Sequence, residues 1–354
     1  MSDHVLDLLT GGWKARAVAS ATRSGVFDAL CREPADSVEL AHRLNLHQPT
    51  LDRLLRLLVA VDLLTTDPDG THRLTDAGAV LVSDHPSSLR RLAELYEEQY
   101  FDSAWRQFGT GLRTGESPFA AAFGEPVFDY LDEHAQEASR YTAAIGEGAP
   151  HGRVLAAAAG LGAPRHIVDV GGGDGRMLTG LLEAHADARG TLLDRPDVAR
   201  RATAAFDRAG IADRAVAVGG DFFTDMPEGA DVYVLSRVLH NWNDETCLSL
   251  LRAIRRASGP DARVLIVERM LRDNPLNCPG DTLASLFDLH MFVMTEGRER
   301  TESEYASMAS AVGFRPRPAV PLVLGFSVLI AGPCGGDGHE SRASSCAASG
   351  RVER

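Results

Sequence analysis

The first hundred residues carry apolar side chains at helical spacing. Apolar positions recur every three or four residues over 18–30 and again over 51–61, which predicts amphipathic helices. The second of these helices is expected to end near Asp62. Asp69 and Gly70 then form a hairpin-turn signal between two short strand-like pieces. Helices followed by a two-stranded wing are the pattern of a winged helix.

A second helical stretch is predicted over residues 87–160, with breaks at 109–115 and 117–118. Its early part is rich in aromatic residues, which either pack in a core or line a ligand pocket. The sequence leaves both interpretations open for Tyr96, Tyr100, Phe101, Trp105 and Phe108.

From Pro164 onward, short apolar runs alternate with helical stretches. This alternation predicts the α/β class, with a Rossmann-like, parallel, doubly wound sheet. After residue 333 the chain is rich in Gly, Ser and Ala and lacks apolar periodicity, so residues 334–354 are expected to be a disordered tail. The strands are predicted near residues 166–172, 189–196, 214–223, 230–240, 262–271, 315–320 and 326–331, with late helices near 280–294 and 301–313.

Charge changes the interpretation of the winged helix. The chain of 354 residues has 49 acidic and 36 basic residues, a net charge of −13, and the first hundred residues hold 15 acidic against 10 basic. DNA readers carry the opposite balance, so no nucleic-acid partner is expected, and a structural or dimerisation role fits the unit better.

The remaining composition indicates a cytoplasmic protein. No apolar window is long enough to span a membrane, and the first residues lack the pattern of a signal peptide. The five cysteines are scattered, without the CxxC spacing of zinc sites or a dense disulfide framework.

A glycine-rich turn is the strongest local signal. It follows the first predicted strand, after Asp169, and opens a helix, with Gly171, Gly173 and Gly175 spaced as G-x-G-x-G. Glycines at such a turn let a ligand approach the backbone closely. The gap is shorter than the G-x-G-x-x-G of dinucleotide binders, and no Lys-Ser/Thr follows as in a P-loop.

Two carboxylates after later strands suit a nucleoside ligand. Asp194 ends the second predicted strand, where it can accept hydrogen bonds from both ribose hydroxyls. Asp221 and Phe222 end the third strand, where a carboxylate and a ring can contact the amine and the face of adenine.

With these residues in view, the chain resembles the class I S-adenosylmethionine-dependent small-molecule O-methyltransferases of plant phenylpropanoid and bacterial aromatic-polyketide pathways. The resemblance extends from about Leu6 to Gly332. It rests on the segments LDRLLRLLVAVDLL, LTDAG, VDVGGGDG, GDFF, LSRVLHNWNDE and GRERTESEYASMASAVGF, which are specific only in combination.

The resemblance implies a domain organisation. Residues 1–100 would be a winged-helix-like dimerisation domain, and residues 101–160 a helical linker region contributing to the acceptor pocket. Residues 161–333 would be the Rossmann-like S-adenosylmethionine-binding catalytic domain. The protein would be a homodimer acting on a small aromatic hydroxylated molecule of bacterial secondary metabolism, either free or carried on a protein.

The resemblance also assigns site residues. The cofactor would lie against Gly171, Gly173 and Asp169 of the turn, with Asp194 on the ribose. Asp221 and Phe222 would meet adenine, and Ser236 and Arg237 the methionine portion, with Arg140 also reaching the cofactor. The acceptor would contact residues Trp105, His290, Met291 and Met294. No metal is expected.

His240 would be the general base, flanked by the carboxylates Glu268 and Glu299. A phenol has a pKa of about 10, so a nearby histidine that takes the proton would assist methyl transfer. The chain departs from plant relatives at one point, since His240-Asn241-Trp242 stands where they have His-Asp-Trp.

Three alternatives stay in view. A nicotinamide-dependent oxidoreductase needs a G-x-G-x-x-G turn and a hydride-transfer acid, and a transcription factor needs a basic recognition helix; the sequence offers neither. A family member with altered chemistry, such as hydroxylation or decarboxylation, is disfavoured by His240.

Overall fold

The structure is a computed structural model in which residues 2–276 and 278–333 are described. The tail predicted to be disordered, residues 334–354, lies outside the described residues. Within the described part of the chain, no helix has both the length and the apolar character that crossing a bilayer requires.

The first part of the chain forms a helical unit with a two-stranded wing. Its buried core includes Phe27, Leu40, Leu55 and Leu58. The helix predicted to end near Asp62 ends at Ala60, and Asp62 has a φ of 59°, a left-handed conformation typical of helix ends. The elements are α1 (Ser2–Leu9), α2 (Gly11–Arg23), α3 (Val26–Arg32), α4 (Ser37–Leu44), α5 (Gln48–Ala60), β1 (Leu64–Thr66), β2 (His72–Leu74) and α6 (Asp76–Ala79), and β1 pairs antiparallel with β2.

The next segment is helical, as predicted, but one predicted break is wrong. Residues 109–115 continue as helix up to Thr114, and Gly111 serves close packing rather than a break, since a Cβ there would lie 2.7 Å from Pro118 and 3.1 Å from Phe292. The break at 117–118 is confirmed, since a new helix begins at Pro118. The elements are α7 (Arg90–Leu95), α8 (Gln99–Arg106), α9 (Phe108–Thr114), α10 (Pro118–Phe123), α11 (Val127–Glu133), α12 (Ala135–Glu147) and α13 (Gly152–Ala159).

The last part of the chain builds an α/β layer structure around one main sheet. Helices cover both faces, over two buried apolar clusters, which gives the Rossmann-like doubly wound architecture. The elements are β3 (His166–Val170), α14 (Arg176–Ala184), β4 (Arg189–Asp194), α15 (Pro196–Ala209), β5 (Ala215–Gly219), β6 (Val232–Ser236), a 3-10 turn (Leu239–Asn241), α16 (Asp244–Ala257), β7 (Arg263–Glu268), β8 (Met270–Leu271), α17 (Pro279–Met294), β9 (Arg300–Thr301), α18 (Glu302–Ala311), β10 (Phe314–Pro316), β11 (Val320–Pro321) and β12 (Ser327–Pro333).

The sheet is mixed rather than wholly parallel, which corrects the prediction. Its strand order is β10-β12-β7-β6-β3-β4-β5, and β12 runs antiparallel to β7, β10 and β11. Only residues 322–326 connect β11 to β12, and a connection this short reverses the chain direction, because a parallel crossover needs a dozen residues or more.

The strand order sets the position of the site. From β3 the chain builds outward to β4 and β5, then returns to place β6 on the other side of β3. Ligands of such sheets bind in the crevice at the carboxyl ends of the strands where the order reverses. That crevice lies beyond the ends of β3 and β6.

Candidate active site

A cavity of about 620 Å³ opens at the carboxyl ends of β3, β4 and β6. Helices α11 and α12 contribute its opposite wall, so these helices and the sheet enclose it together. Of the residues predicted to meet the cofactor, all but one line this cavity, namely Asp169, Gly171, Gly173, Asp194, Asp221, Phe222, Ser236 and Arg237.

The glycine turn brings bare backbone to the cavity. Gly171 has a φ of 70°, and a Cβ there would lie 2.8 Å from a methyl carbon of Val238. The Gly173 N–H donates to Oδ2 of Asp194 over 2.8 Å. The turn is thus held in shape by the carboxylate that faces the cavity beside it.

Buried carboxylates cluster below the turn. Burial raises the pKa of Asp194, although the N–H groups of Gly173 and Arg195 oppose that rise. Burial, with the charge of Asp194, raises the pKa of Asp169 to about 7. The oxygens of these carboxyl groups share a confined space, where they can accept hydrogen bonds. They suit a ligand with several hydroxyl donors.

An aromatic wall stands further along the cavity. Phe222 lies edge-on to Trp242 with ring centroids 6.1 Å apart, and Trp242 stacks on Phe128 at 6.0 Å. Sequence reasoning missed Phe128 and Tyr141, which also line the cavity, because they lie on α11 and α12, away from any motif. Trp242 could have been found, since it follows His240-Asn241.

Arg237 is a buried cation at the end of β6. Its φ is 58°, and its Nε has no hydrogen-bond partner in the described structure. Burial lowers its pKa, which nearby Tyr141 and Glu268 partly oppose. A strained backbone that holds an unsatisfied guanidinium against a cavity fits a site for a carboxylate.

Arg140 is the exception among the predicted cofactor residues. It does not line the cavity; its side chain is 61% exposed and pairs with Glu98 over 3.2 Å. The helix α12 turns Tyr141 and Ile145 toward the cavity, and Arg140 therefore lies on a different face of that helix.

His240 is buried on the 3-10 turn after β6, between two carboxylates. Its Nδ1 lies 3.0 Å from Oε1 of Glu299 and 3.3 Å from Oε2 of Glu268. Burial disfavours the imidazolium, but Glu268 and Glu299 outweigh that effect, and the pKa of His240 is raised. One ring nitrogen of His240 and one carboxylate oxygen from each glutamate all lie within 4.8 Å of one another. The predicted catalytic residues therefore form one cluster.

The two carboxylates hold different parts of the histidine. Oε1 of Glu268 accepts from the backbone N–H groups of Val238, Leu239 and His240 over 3.1, 3.0 and 3.4 Å. Burial, with the charge of Glu299, raises the pKa of Glu268, which His240 opposes. Glu268 thus anchors the backbone of the turn and approaches the imidazole with its other oxygen, whereas Glu299 forms the hydrogen bond to the imidazole.

Arg300 holds the other end of the same turn, and sequence reasoning missed it. This fully buried guanidinium donates to the carbonyl oxygens of Leu239 and Trp242 over 3.1 and 2.7 Å, and it pairs with Asp244. At Gly297 an added Cβ would overlap the His240 carbonyl. Arg300 stands in a run of charged residues from Arg298 to Glu304, a pattern typical of a solvated surface, so its sequence context does not indicate this role.

The predicted acceptor residues are only partly brought together. Trp105 donates through Nε1 to Nδ1 of His290 over 3.3 Å, and their rings stack. Burial, with the charge of His240, lowers the pKa of His290 to about 4. Met294 lines a smaller cavity of about 220 Å³ beside Trp242. Met291 is buried but lines neither cavity.

The chain is similar to known methyltransferases along nearly its whole length. A family model described as O-methyltransferase domain matches residues 105–315, and one described as HVO_A0261 N-terminal domain matches residues 14–95. The chain is 34% identical to phenazine O-methyltransferase PhzM of Lysobacter antibioticus, across 94% of this chain and 96% of that protein. It is also 34% identical to 3-amino-4-hydroxybenzoate 4-O-methyltransferase of Streptomyces cremeus, across 93% of this chain and 89% of that protein.

Solved structures agree with this relationship. The S-adenosylhomocysteine-bound crystal structure of CalO1, a methyltransferase in calicheamicin biosynthesis, superposes with a TM-score of 0.82 at 30% identity, covering 94% of this chain and 98% of that one. The family model spans more than half of the sequence, and the relatives align along almost all of it. The chain therefore belongs to the S-adenosylmethionine-dependent O-methyltransferases.

Proposed function

We propose that this enzyme methylates a hydroxyl group of a small planar aromatic molecule, with His240 as the base that accepts the hydroxyl proton. The observation that carries the proposal is the buried imidazole held between Glu268 and Glu299, four residues after Ser236 on the cofactor cavity. The phenazine and aminohydroxybenzoate named for two relatives support an aromatic acceptor.

The cavity residues suit S-adenosylmethionine. Asp194 would accept from the ribose hydroxyls, and Asp221 with Phe222 would contact adenine. Arg237, whose buried Nε has no hydrogen-bond partner in the described chain, would bind the methionine carboxylate near Ser236. Arg140 is left out of this set, because its side chain is turned to Glu98.

The turn at Gly171 and Gly173 leaves space for the cofactor, and Asp169 would support the turn from below. S-adenosylmethionine supplies a methyl group on a positively charged sulfur, which is already a strong electrophile. The protein's task is therefore to align the acceptor oxygen and to remove its proton.

The hydrogen bond to Glu299 gives His240 the right tautomer for this task. A neutral imidazole whose Nδ1–H donates to a carboxylate keeps its lone pair on Nε2, where it can accept a proton. Glu299 and Glu268 also stabilise the imidazolium that proton transfer creates. His240 must be neutral before it can accept the proton. Activity should therefore rise with pH through the raised pKa of His240.

The acceptor would lie beside Trp105 and His290, with Met291 and Met294 completing the apolar surroundings. His290 stays neutral near pH 7, since burial lowers its pKa to about 4, so it would act as a ring surface rather than as a second charge. A planar aromatic molecule suits the stacked rings of this region.

We further propose a homodimer assembled through residues 1–100, with residues 101–160 forming the acceptor wall and residues 161–333 the catalytic domain. The first two helices expose an unusual set of large apolar side chains, between 53% and 73% accessible: Val5, Leu6, Leu8, Leu9 and Trp13. Patches of this kind mark interaction surfaces. We also propose that the protein is cytoplasmic, as its scattered cysteines favour.

Asp194→Ala should weaken S-adenosylmethionine and S-adenosylhomocysteine alike, because both contain the ribose. The loss of charge-assisted hydrogen bonds should cost about 1.5–3 kcal/mol of binding free energy, measured by calorimetry. Asp187→Ala, an exposed aspartate before the same strand, is the matched control and should bind normally. Unchanged affinity of the Asp194 variant would remove this residue from the site.

His240→Ala should lower turnover about 10²- to 10⁴-fold near pH 7, with little change in S-adenosylhomocysteine affinity. The deficit should shrink near pH 9.5, because a phenolic acceptor then arrives largely ionised. Single-turnover rates at both pH values provide the measurement. A folded variant that is equally impaired at both would make His240 a structural residue, and near-normal turnover near pH 7 would make alignment alone sufficient.

The protein should sediment as a dimer at micromolar concentration, with an interface on the order of 2,000–5,000 Å². Changing Leu9 and Trp13 together to Glu should shift the sedimentation velocity toward the monomer, because charges would enter an apolar contact. Val216→Glu, at another exposed apolar position on the edge strand β5, should remain dimeric. A monomeric wild-type protein would contradict the proposed assembly.

A further inference from the structure

Arg269 is a second buried arginine that the mechanism above does not use. It follows Glu268 at the end of β7 and is only 7% exposed. Its guanidinium carbon lies over two aromatic rings, 3.8 Å from the ring centroid of Phe287 and 4.0 Å from that of Phe326. A guanidinium stacked on aromatic rings keeps its in-plane N–H groups available at its edge.

That edge has no anionic partner in the described chain. No side-chain hydrogen bond or ion pair of Arg269 is present within residues 2–276 and 278–333, and its buried Nε has no acceptor. Burying a cation without a hydrogen-bonded partner is costly. Burial, and then the charge of Arg237, lowers the pKa of Arg269 to about 10, with Glu299 and Glu268 opposing.

The position of Arg269 connects it to the acceptor side of the site. Phe287, which covers one face of the guanidinium, also meets His290 edge-on at 6.3 Å, and His290 stacks on Trp105. Tyr96, which lies 5.9 Å from His290, and Trp105 are each more than a third exposed. A row of rings thus runs from an accessible edge to the unsatisfied cation.

We propose that Arg269 binds a carboxylate group of the acceptor, so that the natural substrate is a hydroxylated aromatic carboxylic acid rather than a neutral phenol. This inference rests on the proposed function and specifies its substrate class. The planar edge of a guanidinium matches the two oxygens of a carboxylate. Arg237 would remain with the cofactor, whose cavity it lines.

The competing role for Arg269 is to balance the charge of Glu268 and Glu299 through space. Neither carboxylate lies within ion-pair distance of it. One oxygen of each is engaged, Oε1 of Glu268 by backbone N–H groups and Oε1 of Glu299 by His240, whereas the second oxygen of each is buried without a hydrogen-bond partner. An arginine that only balances these charges would affect the binding of acidic and neutral acceptors equally. An arginine that binds a carboxylate would affect only the acidic acceptors, and the two cases can be distinguished by measurement.

The test compares 6-hydroxy-2-naphthoate with its carboxamide, which has the same shape and no charge. Binding is followed by the fluorescence of the naphthalene ring in the presence of S-adenosylhomocysteine, and kcat/KM is measured separately with S-adenosylmethionine. The wild-type protein should bind the acid about 10- to 100-fold more tightly than the amide. Arg269→Met should abolish this preference and leave amide binding nearly unchanged.

Two further variants keep the result interpretable. Arg272→Met removes an exposed arginine that pairs with Asp281 and should retain the full preference for the acid. Arg269→Lys keeps the charge without the planar edge, should retain part of the preference, and serves as the test if Arg269→Met does not fold.

Equal binding of acid and amide by the wild-type protein would overturn the inference, as would equal losses for both ligands in Arg269→Met. If neutral 2-naphthol and the amide are methylated as efficiently as the acid, the proposed function stands and the carboxylate site falls. If the acid binds through Arg269 but no hydroxylated aromatic molecule is methylated, the site stands and the proposed function falls.

Discussion

Three backbone N–H groups at the end of β6 converge on one buried carboxylate, that of Glu268, and the geometry of the site depends on this interaction. Unsatisfied buried N–H groups would cost about 1–3 kcal/mol each, so the carboxylate fixes the turn that carries His240. Arg300 satisfies carbonyl oxygens at the opposite end. A short helical turn with an anion at its N-terminal end and a cation at its C-terminal end has favourable electrostatics at both ends.

The same turn joins the cofactor cavity to the acceptor side. Ser236 and Arg237 precede it and line the cavity, whereas Glu299 reaches His240 from the connection between α17 and β9. Gly297 permits that approach, because any side chain there would overlap the His240 carbonyl. The proposed base is therefore positioned by main-chain contacts as well as by its own side-chain partner, which restricts the direction in which Nε2 can point.

Much of the fold and part of the site were predictable, because they depend on local patterns. Glycine or aspartate stands at or just after the ends of β3, β4 and β5, so Gly171, Asp194 and Asp221 could be placed at one edge of the sheet. Phe128, Tyr141 and Arg300 could not be found this way, because they come from helices and from the short strand β9, whose approach to the site depends on tertiary packing. Arg140, predicted to reach the cofactor, does not line the cavity, because one step along α12 separates it from Tyr141, which faces the cavity.

The central claim is that Glu299 holds His240 as a neutral base with its lone pair on Nε2. The most direct measurement is a ¹⁵N NMR titration of the imidazole, with the signal assigned by its loss in His240→Asn. The account predicts the Nδ1–H tautomer at high pH and a pKa above 6.5 that falls in Glu299→Gln, because the amide keeps an acceptor oxygen but removes the charge. An Nε2–H tautomer, or a pKa that Glu299→Gln leaves unchanged, would contradict it.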